Sequence, residues 1–150
     1  MSTTGTGFDI RLERIVDASP EAAFDAWLSA DARASWYTPV DGWIVEATTD
    51  VRVGGEWMVR FGETPDALYA ESGVFTAIDA PHRVAYTSEF RFPDGRSFTT
   101  RVTVTFESVG SGTRLTVLEL GYPSAEQRDA HENGWPAFLD AFERFVRAGG

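Results

Sequence analysis

The sequence predicts an α+β fold, a curved antiparallel sheet wrapped around a long C-terminal helix with two short helices near the N-terminus. Three observations carry this. Between residues 42 and 120, apolar and polar residues alternate in runs separated by Gly- and Pro-containing turns, as in strands joined by hairpins. From Ser124 onward the apolar spacing becomes helical. Between the first strand and the β-rich middle stand two short segments with helix-start signals.

In order, Met1–Gly7 is small and polar and reads as a disordered tail, with residues 8–150 as one domain. Phe8–Val16 alternates Phe8, Ile10 and Leu12 with Asp9, Arg11 and Glu13, the period of a half-buried strand, until Arg14 interrupts the apolar face. Ser19 can cap a helix, Pro20 suits its first position, and Glu21 suits the N-terminal dipole. Phe24, Trp27 and Leu28 then share a face. Asp31 reads as a second cap, opening a short helix that ends near Trp36, ahead of Pro39. Six strands follow, over 42–47, 56–61, 68–78, 83–92, 97–106 and 113–120. Gly54-Gly55, Pro93-Asp94-Gly95 and Gly110-Ser111-Gly112 mark turns, and Gly73 marks a bulge or a close backbone approach. Ser124 and Gln127 form a capping-box pattern before the apolar stripe Trp135, Phe138, Leu139, Phe142, Phe145 and Val146. Pro136 predicts a bend in this helix. An antiparallel sheet has one face to cover, and only the last helix is long and apolar enough to cover it. The space between them can be core or cavity, and composition alone leaves both open.

Composition narrows the chemistry. All thirteen basic residues are Arg, against twenty-three acidic ones, and Lys and Cys are absent. That excludes disulfides, thiolate nucleophiles, Cys-ligated metals, Schiff bases and Walker-type phosphate loops. The net charge of −10 disfavours nucleic acid as a partner. No apolar run approaches the length of a membrane span, and the N-terminus lacks the basic start and apolar run of a signal peptide. A cytoplasmic protein without membrane insertion is expected, and unpaired edge strands leave room for a homodimer.

Chemistry-bearing residues are few. His131 stands four residues before Trp135 and so shares the inward helix face, where it either bonds a strand carbonyl or carboxylate, such as Glu71 or Glu119, or faces a pocket. It is the one weak catalytic candidate. His82 lies in a turn, and two distant histidines without Cys give no metal spacing, so no metal or cofactor is expected. Glu71 and Glu119 lie in predicted strands with surface exposure as the default; if buried, each needs an Arg partner such as Arg60 or Arg114, or a raised pKa. No Gly-x-Ser-x-Gly or other nucleophile motif is present. Twenty aromatic residues remain to be explained. Trp36, Tyr37, Trp57, Phe75, Tyr86, Phe90, Trp135 and Phe138, with His131, suit the lining of an apolar ligand cleft, and Tyr69 belongs to the same group.

Several motifs in order carry a resemblance. Asp50-Val51-Arg52-Val53-Gly54-Gly55-Glu56-Trp57 resembles the Asp-x-Arg-x-Gly-Gly-x-aromatic signature of the activator of heat-shock protein 90 ATPase homologue-like family of the START, or SRPBCC (Bet v 1-like), superfamily. The segment Ala18-Ser19-Pro20-Glu21 with Phe24-Asp25-Ala26-Trp27 resembles its first helix, and Trp36 with Pro39 its Trp-x-x-Pro step. Gly73 with Pro81, Arg83 and Val84, then Gly112-Thr113-Arg114-Leu115, then His131 with Gly134-Trp135, follow its later elements. Tyr37 stands where members often have a second Trp, and Pro136 follows the Gly-Trp pair. The resemblance spans about Phe8 to Ala148 and implies the helix-grip fold. It also implies a lipid-like or polyketide-like hydrophobic or aromatic ligand held between sheet and helix. The alternatives are a cyclase- or dehydratase-type enzyme in the same cavity, with His131 as acid or base, or a chaperone-interacting module. The resemblance extends to stand-alone bacterial members, and the additional domain of the eukaryotic chaperone activator is not matched, which sets the chaperone role last among the three.

Overall fold

Alternation of side chains along each strand decides which face of the sheet becomes the interior. The computed structural model describes residues 8–37 and 42–149. The expected tail at Met1–Gly7 and the Pro39 step lie outside the described residues. Strand β1 (Phe8–Val16) leads into helices α1 (Pro20–Leu28) and α2 (Ala30–Trp36), then β2 (Ile44–Thr49), β3 (Glu56–Gly62), β4 (Tyr69–Asp79), β5 (Arg83–Arg91), β6 (Ser97–Val109), β7 (Gly112–Tyr122) and helix α3 (Ala125–Arg147). The seven strands form one open curved sheet in the order β1-β7-β6-β5-β4-β3-β2, and every pairing is antiparallel. β1 and β2 are therefore the two edges, and α1 and α2 carry the chain from one edge to the other across the inner face. No helix among the described residues is long and apolar enough to cross a membrane.

The helix starts follow from capping chemistry. The Ser19 hydroxyl accepts from the Ala22 amide at 3.1 Å, and Pro20 takes the first helical position, where its missing N–H costs nothing. The second cap is Ser29, not Asp31. Its extended backbone ends α1, and its hydroxyl accepts from the Ala32 amide at 3.3 Å. Asp31 falls in the first turn of α2, where its charge suits the helix dipole. Ser124 caps α3 through the Gln127 amide at 3.2 Å. α3 then runs continuously from Ala125 to Arg147 with Pro136 inside it.

Strand register builds the inner face in rows. Val84, Val104 and Val117 lie side by side across β5, β6 and β7, all fully buried. The next row runs from Phe75 through Tyr86 and Val102 to Glu119. Below it, Ser88 pairs with Thr100, and then Val59, Glu71, Phe90 and Phe98 cross β3 to β6. Gly73 is a close approach rather than a bulge, because a Cβ there would stand against the Thr87 carbonyl oxygen. Trp57 sits opposite Gly73 and uses that gap to donate its indole N–H to the Thr87 carbonyl at 3.1 Å. Gly54, at φ +86°, and Gly55, whose Cβ would strike the Asp50 carbonyl, shape the preceding turn for purely steric reasons.

Helix α3 is held by packing against α1 and α2 and by charge to β1. Phe142, completely buried, meets the Trp27 and Trp36 rings edge-on at 5.1 and 4.9 Å. Arg14, the residue that interrupts the apolar face of β1, donates to Asp140 at 2.7 Å and to Glu143 at 3.2 Å on α3.

Two glycine substitutions separate backbone fit from helix propensity. Gly73→Ala collides with the Thr87 carbonyl, whereas nothing lies within 4 Å of a Cβ at Gly134, inside α3. Followed by circular dichroism on heating, Gly134→Ala raises Tm by about 2–4 °C, the value of ~1 kcal/mol of helix propensity in a domain of this size. Gly73→Ala lowers it.

Candidate functional site

The two halves of α3 differ in side-chain volume, and this difference creates a site. The second half inserts Leu139, Phe142 and Val146 into the core. The first half offers Gln127, Ala130, His131 and Gly134 instead, which are too small or too polar to fill the same space. A cavity of about 470 Å³ remains between this half and the inner face of the sheet. Trp27, Trp36 and Tyr37 close it from α1 and the end of α2, and Trp135 and Phe138 from α3. The sheet contributes Phe61, Tyr69, Tyr86, Phe90 and Val102, with Trp43 and Phe92 beside them.

Set into these apolar walls are three charged groups. Glu119 stands at an inward position of β7, two residues after Val117, and is buried. Its carboxylate accepts from the Thr100 hydroxyl at 2.6 Å, the Tyr122 phenol at 2.5 Å and the Trp135 indole at 3.1 Å. These three donors satisfy a charge that would otherwise be costly to bury. Glu71, inward on β4, accepts from the Ser88 hydroxyl at 3.2 Å and from the Tyr37 phenol. Burial, reinforced by the Glu119 charge, pushes its pKa up from the ordinary 4.5 to about 7, against the pull of Tyr37, Ser88 and Arg33. Arg33, on α2, is the third. It is buried and donates Nε–H to the Trp27 carbonyl at 2.6 Å. Its guanidinium lies over the Trp57 ring at 4.9 Å.

Burial shifts Tyr37, Tyr86, Tyr122 and His131 toward their neutral forms. Burial raises the Tyr37 phenol well above its usual value and pushes Tyr86 up to about 12. Burial and the neighbouring Glu119 charge raise Tyr122 as well. His131 meets the rings of Phe90, Phe98 and Tyr122 at 4.7, 5.5 and 5.3 Å. Burial in this aromatic setting lowers its pKa, with Glu119 acting in the opposite sense. No group of three or more acidic, His or Cys side chains suited to a metal occurs among the described residues.

A fold and a cavity of this kind can be compared with known proteins. The family described as Activator of Hsp90 ATPase homolog 1-like protein has a sequence model that matches residues 17–147. The chain belongs to this family. It is thus a member of the START/SRPBCC superfamily, whose fold supports a ligand-binding type of domain. It has no match among curated proteins. Among solved structures it is similar to a protein from Chromobacterium violaceum, at 26% identity over 91% of this chain and 95% of that one, with a TM-score of 0.80. The AHSA1 protein from Silicibacter pomeroyi is 27% identical over 95% of this chain and all 100% of that one, with a TM-score of 0.79. A protein from Rhizobium leguminosarum, 24% identical over 95% of each chain, shares the fold with a TM-score of 0.82.

In this family member the cavity brings together Trp36, Tyr37, Tyr86, Phe90, His131, Trp135 and Phe138, seven of the nine residues that the sequence pattern singles out. Trp57 and Phe75 lie off its wall. Both are fully buried, and both pack edge-on against Tyr86, at 5.2 and 6.0 Å, so they support the wall from behind. The polar groups are where sequence reasoning falls short. Glu71 and Glu119 face inward instead of taking the exposed default, and Arg60 and Arg114 pair elsewhere, with Glu46 at 3.2 Å and Glu107 at 2.9 Å. The cation near these carboxylates is Arg33. Glu119 shares strand parity with Leu115 and Val117, but Leu118 and Leu120 on the opposite parity are equally apolar, so its face is not decided by the pattern. Arg33 carries no comparable signal.

Glu71 leaves a signature in the pH dependence of stability. Its folded pKa of about 7 exceeds the ordinary 4.5, so between these values the folded chain keeps a proton that the unfolded chain has lost. Stability contributed by this group is present below the window and falls as pH rises through it. His131, with its lowered pKa, loses stability as pH falls, so the test compares variant with wild type, where His131 is common to both. In Glu71→Gln, the decline of Tm from about pH 4.5 to about pH 7 becomes shallower than in wild type.

Proposed function

We propose that this protein binds a small hydrophobic or aromatic molecule in the cavity between sheet and α3. The observation that carries this is the cavity itself, about 470 Å³ with aromatic walls and a few convergent polar groups. A well-packed core of this composition would have no such space, since interiors normally close around their side chains. Ligand sites are concave, mostly apolar and of about 300–1,000 Å³. The Trp and Tyr rings supply flat apolar surface, and the buried polar groups give a ligand one preferred orientation.

A second reading is supported by Glu71. A carboxyl group with a pKa of about 7, beside the Ser88 hydroxyl and in the same cavity as His131, has the properties of a general acid–base. A cyclase- or dehydratase-type reaction on a bound ligand would use that proton. Binding is the simpler proposal, because every form of catalysis here requires it first.

Thermal shift measurements against fatty acids, sterols, flavonoids and naphthoquinones test the binding role. A compound present at about 100 times its Kd adds ~2.7 kcal/mol, which raises Tm by roughly 5–10 °C. Members of an apolar, ring-containing class produce this shift. If no compound in the panel moves Tm, and a solvent-sensitive fluorescent probe stays dark, the cavity does not bind ligands of this kind.

A further inference from the structure

Arg33 holds a buried nitrogen, Nη1, that has no hydrogen-bond partner among the described residues. The side chain is buried, with 1% exposure, and lines the cavity. Its Nε is committed to the Trp27 carbonyl, and its planar face is committed to the rings of Trp57 and Tyr86, at 4.9 and 5.9 Å. Those contacts account for Arg33 as a structural residue that ties α2 to α1 and to the sheet. They leave Nη1, which is buried and has no hydrogen-bond partner among the described residues. Folded proteins seldom leave a buried donor of a charged group unmet, because its lost hydration goes uncompensated.

The missing partner must be an acceptor, since a guanidinium only donates. Its charge can be inferred from the rest of the cavity. Glu119 is already engaged by three donors, and Glu71 by Ser88 and Tyr37. A ligand carboxylate would be a third acid in the same small space, whereas a neutral oxygen meets Nη1 without that repulsion. We propose that Arg33 receives a carbonyl oxygen of the ligand, so that the cavity selects apolar ring compounds carrying a ketone-type acceptor on their buried end. This rests on the ligand-binding role above and specifies its chemical class. Arg33 then serves as the orienting contact, and the aromatic walls take the apolar body.

The test uses three probes of nearly equal size, 2-acetylnaphthalene, 2-ethylnaphthalene and 2-naphthoate, titrated by quenching of tryptophan fluorescence. In wild type the ketone binds at least about tenfold more tightly than the hydrocarbon, as expected for one hydrogen bond from a charged donor. It also binds more tightly than the carboxylate. In Arg33→Met, ketone and hydrocarbon affinities converge. A second readout needs no variant: the carbonyl carbon of 13C-labelled 2-acetylnaphthalene moves downfield on binding to wild type, relative to the same compound in cyclohexane. That measurement decides the matter if Arg33→Met does not fold. Equal affinity for ketone and hydrocarbon, tighter binding of the carboxylate, a ketone preference that survives in Arg33→Met, or an unshifted carbonyl resonance each overturns the assignment while the cavity remains a binding site. Failure of all three probes to bind overturns the binding role as well.

Discussion

Trp27 joins the parts of this structure that would otherwise be separate. On one side its ring meets Phe106 of β6 and Phe142 of α3 edge-on, within the packed core. On another it lies parallel to Trp135 at 6.2 Å, and its indole N–H donates to the Tyr86 phenol at 3.1 Å, on the wall of the cavity. Its backbone carbonyl accepts from Arg33. One residue of α1 therefore touches α2, α3 and the sheet and marks the border between filled and unfilled space. A smaller residue there would open the core toward the cavity, because this ring lies against both.

Once that border is set, the cavity's chemistry follows from strand register. An antiparallel sheet places residues of distant strands side by side, and this sheet places Glu119 in the same row as Val102 and Tyr86. Glu71 stands between Val59 and Phe90. Glu119 is buried and Glu71 half-buried, each at a position whose neighbours on either side are apolar or aromatic, and each accepts from hydroxyl, phenol or indole donors. The arrangement keeps the carboxylates satisfied and leaves the nearby guanidinium with capacity to spare. A polar constellation of this kind contributes little to folding that apolar residues of similar size could not contribute, which is why it points to a ligand.

Much of this was legible in the chain. The alternation from Phe8 to Glu13 marks β1 despite the interruption at Arg14, and the helical spacing of Trp135, Phe138, Phe142 and Val146 marks the inward face of α3. These signals are readable because they repeat locally, at the period of the backbone itself. Other features are less so. Ser29 ends one helix and begins the next, and Asp31 two residues later has equal capping chemistry, so only the backbone path distinguishes them. In β7, Leu118 and Leu120 are as apolar as Leu115 and Val117, so hydrophobicity alone leaves the inward face of Glu119 ambiguous. Arg33 is surrounded in sequence by Ala, Asp and Ser, as an exposed arginine would be.

By itself, then, the sequence determined the order of elements, the antiparallel sheet, the covering helix and the aromatic excess that had to lie between them. It also excluded the chemistries of Cys and Lys. Only the tertiary structure decided that the aromatics enclose a cavity instead of filling one, that Trp57 and Phe75 stand behind its wall, and that Arg33, Glu71 and Glu119 share it. The reason is physical. Secondary structure reflects periodicity within a few residues, whereas a cavity is the volume left over when side chains from α1, α2, α3 and the sheet strands meet, and that remainder has no local signature.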